Sequence, residues 1–179
     1  YIIDGTGKKT EGFIKYQNRY SMQKNIVFYT DKNNKKTKQK LKSEDLTEYK
    51  VADKLYHCIH YSGGLLKKPI RGNLVVKEGC IMEYVWYERD ENYSTMRKQS
   101  GETQEEFLNR LYPPTTLFLK DGDSEVKTIA GMALKFSKKA SEWLSDNSDI
   151  SGKIVAKEKG YKALNILQII DEYNESCEK

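Results

Sequence analysis

The stretch NLVVKEGCIMEYVWYE, residues 73–88, constrains the fold more than any other. It reads as two strands joined by a tight turn at Lys77, Glu78 and Gly79. Gly79 is expected to supply the positive φ that such turns need. In the second strand Cys80, Met82, Tyr84 and Trp86 alternate with Ile81, Val85 and Tyr87, and Glu83 is the single charge. A strand apolar on both faces belongs inside a sheet that is covered on both sides. The hairpin is therefore expected at the middle of a twisted antiparallel sheet, with the rest of the chain arranged around it.

Strand patterns dominate residues 1–128. YIID, the turn GTGKK and GFIKY read as an opening hairpin, and NIVFYT as the next strand. Ser43 is placed to cap a short helical turn. Residues 49–61 alternate loosely and end in one strand, LYHCIHY. Residues 62–72 hold Gly63, Gly64, Pro69 and Gly72 and read as a loop, with a short extended piece at Leu65 and Leu66. Residues 89–101 are polar and read as an exposed excursion. Thr103 and Glu106 match a capping box, so a short helix is expected near residues 104–111, stopped by Pro113 and Pro114. TTLFLK is then a strand, turned back by Asp121 and Gly122.

The period changes at Ile129. Ile129, Met132, Ala133, Phe136, Ala140, Trp143 and Leu144 fit one helical stripe, with Phe136 and Trp143 buried against the sheet. A second helix carries Ile150, Ile154 and Val155 and ends at Gly160. A third spans residues 163–173, with Leu164, Leu167 and Ile170 on one face and Ile166, Ile169 and Tyr173 beside them. Strands followed by helices give an α+β fold. The chain of 179 residues is a single domain, 1–128 mainly strands and 129–174 a block of three helices. No apolar run approaches the ~18 residues of a membrane span. The chain opens on Tyr1, as either a cleaved export signal or a trimmed N-terminus would leave it.

The cysteines are Cys58, Cys80 and Cys177. Cys58 and Cys80 sit in apolar strands and are expected as buried small hydrophobes, with a bridge between them the alternative; Cys177 is expected free in a polar tail. On this reading the cysteines do not fix the redox compartment.

Charge is uneven. Residues 1–70 hold 15 basic and 7 acidic residues, while the remainder is net acidic. The excess gathers at Lys32, Lys35, Lys36, Lys38, Lys40 and Lys42. The first reading is a solvated hairpin loop whose lysines blunt a neighbouring edge strand. The second is contact with nucleic acid or another polyanion. Two observations favour the first. The run is all Lys, without the Arg that reads bases in bidentate fashion, and it has no interleaved aromatics for stacking.

Signatures of chemistry are weak. His57, Cys58 and His60 offer two ligands on one strand face at most, short of a zinc site. GTGKKTEG lacks the spacing and the following helix of a phosphate loop. Asp121 and Asp123 are too few for calcium. Glu102, Glu105 and Glu106 suit a helix start. No catalytic residue, cofactor or metal site is assigned. Tyr84, Trp86, Tyr87 and Tyr93 are a candidate aromatic platform for sugar or peptide, with core packing the competing reading.

The layout resembles a group of exported proteins common in Bacteroidetes bacteria, whose activities are uncharacterised. The residues that carry the resemblance are Asp4-Gly5 and Glu11-Gly12-Phe13-Ile14-Lys15-Tyr16, the strand Ile26-Val27-Phe28, the hairpin around Gly79, and the closing Ile169-Ile170-Asp171-Glu172-Tyr173-Asn174. Glu83 departs from the apolar residue usual there. The resemblance implies export to the periplasm or outer cell surface, and no activity. The expected function is a non-enzymatic cell-envelope binding or accessory domain, partnered by another envelope protein or a surface glycan. Polyanion or nucleic-acid binding through residues 32–42 is the alternative, and an enzyme with an unrecognised pocket is third.

Overall fold

The computed structural model of the chain describes residues 1–61 and 69–177. The strands are β1 (Ile2–Asp4), β2 (Lys9–Thr10), β3 (Phe13–Lys15), β4 (Asn25–Tyr29), β5 (Lys38–Lys42), β6 (Leu46–Val51), β7 (Lys54–Ile59), β8 (Arg71–Lys77), β9 (Ile81–Tyr87), β10 (Pro114–Lys120) and β11 (Lys127–Thr128). The helices are α1 (Arg19–Met22), α2 (Gln104–Leu111), α3 (Ile129–Ala133), α4 (Phe136–Trp143), α5 (Ser148–Val155) and α6 (Ile166–Ser176), with 3-10 turns at Lys35–Thr37, Ser43–Asp45 and Ala163–Asn165. An eight-stranded antiparallel sheet runs β11-β10-β9-β8-β7-β6-β1-β2, and a three-stranded sheet runs β3-β4-β5. The β8–β9 hairpin lies inside the large sheet, and the fold is α+β with a C-terminal helical block, as its pattern requires.

Each face of the large sheet has its own core. Ile81 and Phe118 pack under Phe136, Ala140, Leu144, Ile150, Ile154, Ile166, Ile169 and Ile170 of the helical block. Ile2, Leu46, Tyr49 and Tyr56 pack against Met22, Ile26 and Phe28, which close the small sheet over the same face. Tyr61, Tyr84, Trp86 and Leu117 form the third cluster, on the opposite side. Burial of this kind supplies most of the driving force for folding.

Several expectations are corrected. The opening hairpin is β1 with β2, while GFIKY leaves to pair with β4 in the other sheet. Residues 46–59 form two strands, not one. The turn between them places Ala52 at φ 52°, a conformation that sequence reading looks for only at Gly or Asn. Gly79 does not take a positive φ. Its missing side chain matters instead because a Cβ there would meet the Asn174 amide at 2.4 Å. The long helix expected from Ile129 breaks into α3 and α4 at Leu134 and Lys135, with Lys135 at φ 61°. Phe136 is buried as expected, but Trp143 is only half-buried. On α6 the buried face is Ile166, Ile169, Ile170 and Tyr173, and Leu164 and Leu167 face outward. Ser43 is not a cap: its hydroxyl donates to the Gln23 carbonyl at 2.7 Å. The extended piece expected at Leu65 and Leu66 lies outside the described residues.

The cysteine expectation is overturned most completely. Cys177 is not free but bonded to Cys80, across 97 residues, and Cys58 is the free thiol. The bridge ties the end of α6 to the start of β9. The capping box, by contrast, forms as read: Thr103 Oγ1 accepts from the Glu106 amide at 3.2 Å, and Glu106 Oε2 accepts from the Thr103 amide at 2.7 Å.

Candidate binding surfaces

The lysine run is a turn followed by a strand. Lys32 lies in the approach, where Asp31 and Asn34 hold the backbone through side-chain hydrogen bonds. Lys35 and Lys36 lie on the 3-10 turn, and Lys38, Lys40 and Lys42 are on β5, itself an edge strand. The expected loop beside an edge is thus half loop and half edge.

Pairing decides which side chains share a face. Residues directly opposite across antiparallel strands point the same way. Phe13, Tyr29 and Lys38 form one rank; Lys15, Val27 and Lys40 form the next; Asn25 and Lys42 form the third. The alternate residues Ile14, Ile26, Phe28 and Leu41 face the core. The first set therefore lines the outer face of the small sheet, where Phe13 remains 50% exposed. Lys42 is engaged by Glu44 at 2.9 Å, whereas Lys15, Lys38 and Lys40 have no carboxylate partner among the described residues. The rings missing from the lysine run in sequence are supplied by β3 and β4. Only strand register shows this, because Phe13 and Lys38 are far apart along the chain.

The four residues of the candidate aromatic platform do not assemble. Tyr84 and Trp86 are buried in the third cluster. Tyr87 lies on the other face of β9, with the Arg19 guanidinium 4.8 Å from its ring centre. Tyr93 is exposed and stacks with Arg89 at 4.2 Å; Arg89 also covers Tyr20 at 4.5 Å, and Tyr20 stacks on Tyr112 at 5.7 Å. These contacts tie the 89–101 excursion to α1 and the end of α2, a structural use for the rings.

Glu48, His57 and Tyr84 form a cross-strand relay that sequence reading missed. His57 Nδ1 lies 3.0 Å from the Tyr84 hydroxyl, and Nε2 lies 3.6 Å from Glu48 Oε2. Tyr1 donates to the other Glu48 oxygen. Burial pushes the His57 imidazole below its usual range, against the opposing pull of Glu48. Burial likewise pushes the Tyr84 hydroxyl up to about 12, and the Cys58 thiol up to about 12. His57 therefore stays neutral at pH 7 and orients Tyr84. No signal along the chain joins residues 48, 57 and 84; they meet because β6, β7, β8 and β9 are successive neighbours.

A groove of about 540 Å³ runs between β11, α3 and α4, lined by Val126, Thr128, Met132, Lys139, Glu142 and Trp143 among others. Its polar groups are largely engaged: Lys139 Nζ donates to the Gly131 carbonyl at 2.7 Å, and Trp143 Nε1 donates to Asp123 at 2.7 Å. Among the described residues, no group of three or more His, Cys, Asp or Glu side chains is placed to hold a metal ion. No described helix is long and apolar enough to cross a membrane.

No family model, no curated protein and no solved structure matches the chain.

Proposed function

We propose that this chain is a non-enzymatic binding or accessory domain of the cell envelope, and that it holds an acidic surface glycan on the outer face of the small sheet. The observation that carries the reading is the register that sets Phe13 and Tyr29 in rank with Lys38, next to Lys15 and Lys40. A sugar ring packs its C–H face on an aromatic side chain, and its carboxylate or sulfate groups take up lysines that lack a carboxylate of their own. Export is supported by the Cys80–Cys177 bond, because such bonds persist in oxidising compartments. The resemblance to exported Bacteroidetes proteins supports it too.

A second reading uses the same face for single-stranded nucleic acid. It gains from the rings contributed by β3 and β4, since bases stack on exposed aromatics while lysines follow the phosphates. Titration of the parent, F13A and K38Q/K40Q with heparin, dextran and single-stranded DNA at two salt concentrations separates the two. The glycan reading expects salt-sensitive heparin binding, weakened by both variants, with DNA bound more weakly and dextran not at all. Tighter, ring-dependent binding of DNA selects the second reading. Absence of binding to either polyanion removes this face from consideration.

A further inference from the structure

The disulfide and the side-chain hydrogen bonds and ion pairs that join α6 and the α4–α5 turn to the large sheet gather at one end of the helical block. Helices α4, α5 and α6 run up, down and up, so their ends gather into two groups. Asn147 donates to Ser176 at 2.8 Å at the fastened end, where Tyr173 donates to Asp146, Asp146 meets Lys120, and Cys177 is bonded to Cys80. At the other end Ser137 donates to the Ile154 carbonyl at 2.9 Å, which sets the start of α4 beside the end of α5. The 3-10 turn before α6 contacts α3 there.

This second end has an unusual surface. Leu134 is 74% exposed, Val155 62%, Leu164 99% and Leu167 45%. All four belong to the ends of elements: the α3–α4 break, the last turn of α5, the 3-10 turn, and the first turn of α6. Around them stand Lys135, Lys157, Lys159 and Lys162, all exposed and without a carboxylate partner among the described residues. The one carboxylate in residues 134–137 and 154–167 is Glu158. Clustered exposed apolar side chains mark a docking surface.

We propose that this end docks on an anionic lipid surface, with Leu134, Val155, Leu164 and Leu167 entering the headgroup region and the four lysines meeting lipid phosphates. Charge complementarity selects an acidic counterpart. The relief selects a fluid one: apolar side chains projecting from four element ends need no matching hollow in lipid, whereas a protein partner must be shaped to all four. The groove beside α3 and α4 shares none of the four apolar residues. Basic residues add attraction to an anionic leaflet and apolar ones add depth, the pairing used by peripheral membrane domains. This proposal is independent of the glycan reading, because the two surfaces share no residue.

The test is sedimentation with vesicles of phosphatidylcholine alone and of phosphatidylcholine mixed with phosphatidylglycerol. The parent should bind only the mixed vesicles. L134S/L164S should weaken that binding about tenfold or more, through lost apolar insertion. K157Q/K159Q/K162Q should weaken it roughly a hundredfold at low salt. Both variants change exposed side chains and should keep the parent's thermal midpoint. Absence of binding to mixed vesicles, equal binding to phosphatidylcholine, or binding undiminished in L134S/L164S overturns the proposal. So does a concentration-dependent dimer of the parent that L134S/L164S abolishes, which would assign this end to a second copy of the chain.

Discussion

Asn174 stands in for a β-strand opposite Ile81. Its Oδ1 accepts from the Ile81 amide at 2.8 Å, and its Nδ2 donates to the Ile81 carbonyl at 2.9 Å. Strand β8 pairs with β9 only from Glu83 onward, so the Ile81 groups on that side have no strand partner. A helix side chain fills the gap, and Gly79 leaves the room for it. Lys77 reaches Asp171 at 2.6 Å on the preceding turn of the same helix.

N174A should therefore cost about 2–4 kcal/mol, because two buried backbone groups lose their partners at once. G79A should cost a comparable amount by displacing the same amide, and the double variant should cost less than the two losses added. Chemical denaturation of all three checks this; full additivity would mean that the glycine and the amide act separately.

Removal of the Cys80–Cys177 bond, by reduction or by C177S, should lower stability by about 4 kcal/mol, given a loop of 97 residues. The oxidised native protein should expose no fast-reacting thiol, since Cys58 is partly buried and its thiol is held at about 12. Thiol titration should then count one group in denaturant and three after reduction. Three thiols without reductant would break the pairing.

His57 gives a pH dependence with a definite sign. Its imidazole is pushed below the ordinary value of 6.5 in the folded state, chiefly by burial. The unfolded chain therefore takes up the proton first, so stability is full above about pH 6.5 and falls as pH drops below it. H57Q should flatten that part of the profile. Urea midpoints across pH 5 to 7 read the difference, and a parent profile as flat as that of H57Q would place His57 in solvent.

F136A should cost roughly 3–5 kcal/mol by opening the core between α4 and the sheet. L164S, one chain turn away from that core and wholly exposed, should stay within about 0.5 kcal/mol of the parent. The contrast locates the inner face of the block by denaturation alone.

What could be read along the chain was what neighbouring residues decide. Alternation over residues 73–87 placed β8 and β9, and Thr103 with Glu106 placed the start of α2. What could not be read was decided across space. Ala52 and Lys135 hold positive φ without the glycine that normally announces it, so one strand became two and one helix became two. Leu164 and Leu167 continue an apolar period but lie outside the core, because α6 buries the strip defined by Ile166, Ile169 and Ile170. Cys177 sits in a polar tail, yet α6 carries it back to β9. Phe13 joins Lys38 only through strand register.

The bond between Cys80 and Cys177 also sets an order of events for a chain emerging N-terminus first. Cys58 appears early, Cys80 follows 22 residues later, and the correct partner arrives only after 97 more. During that interval the wrong thiol is the near one. The growing sheet favours the right partner: once β7 is flanked by β6 and β8, Cys58 is half-buried against the core beneath the small sheet, while Cys80 stands at the turn of the β8–β9 hairpin, where α6 will bring Cys177. Sheet before bond, and bond after the last helix, is the sequence that avoids the misconnected product.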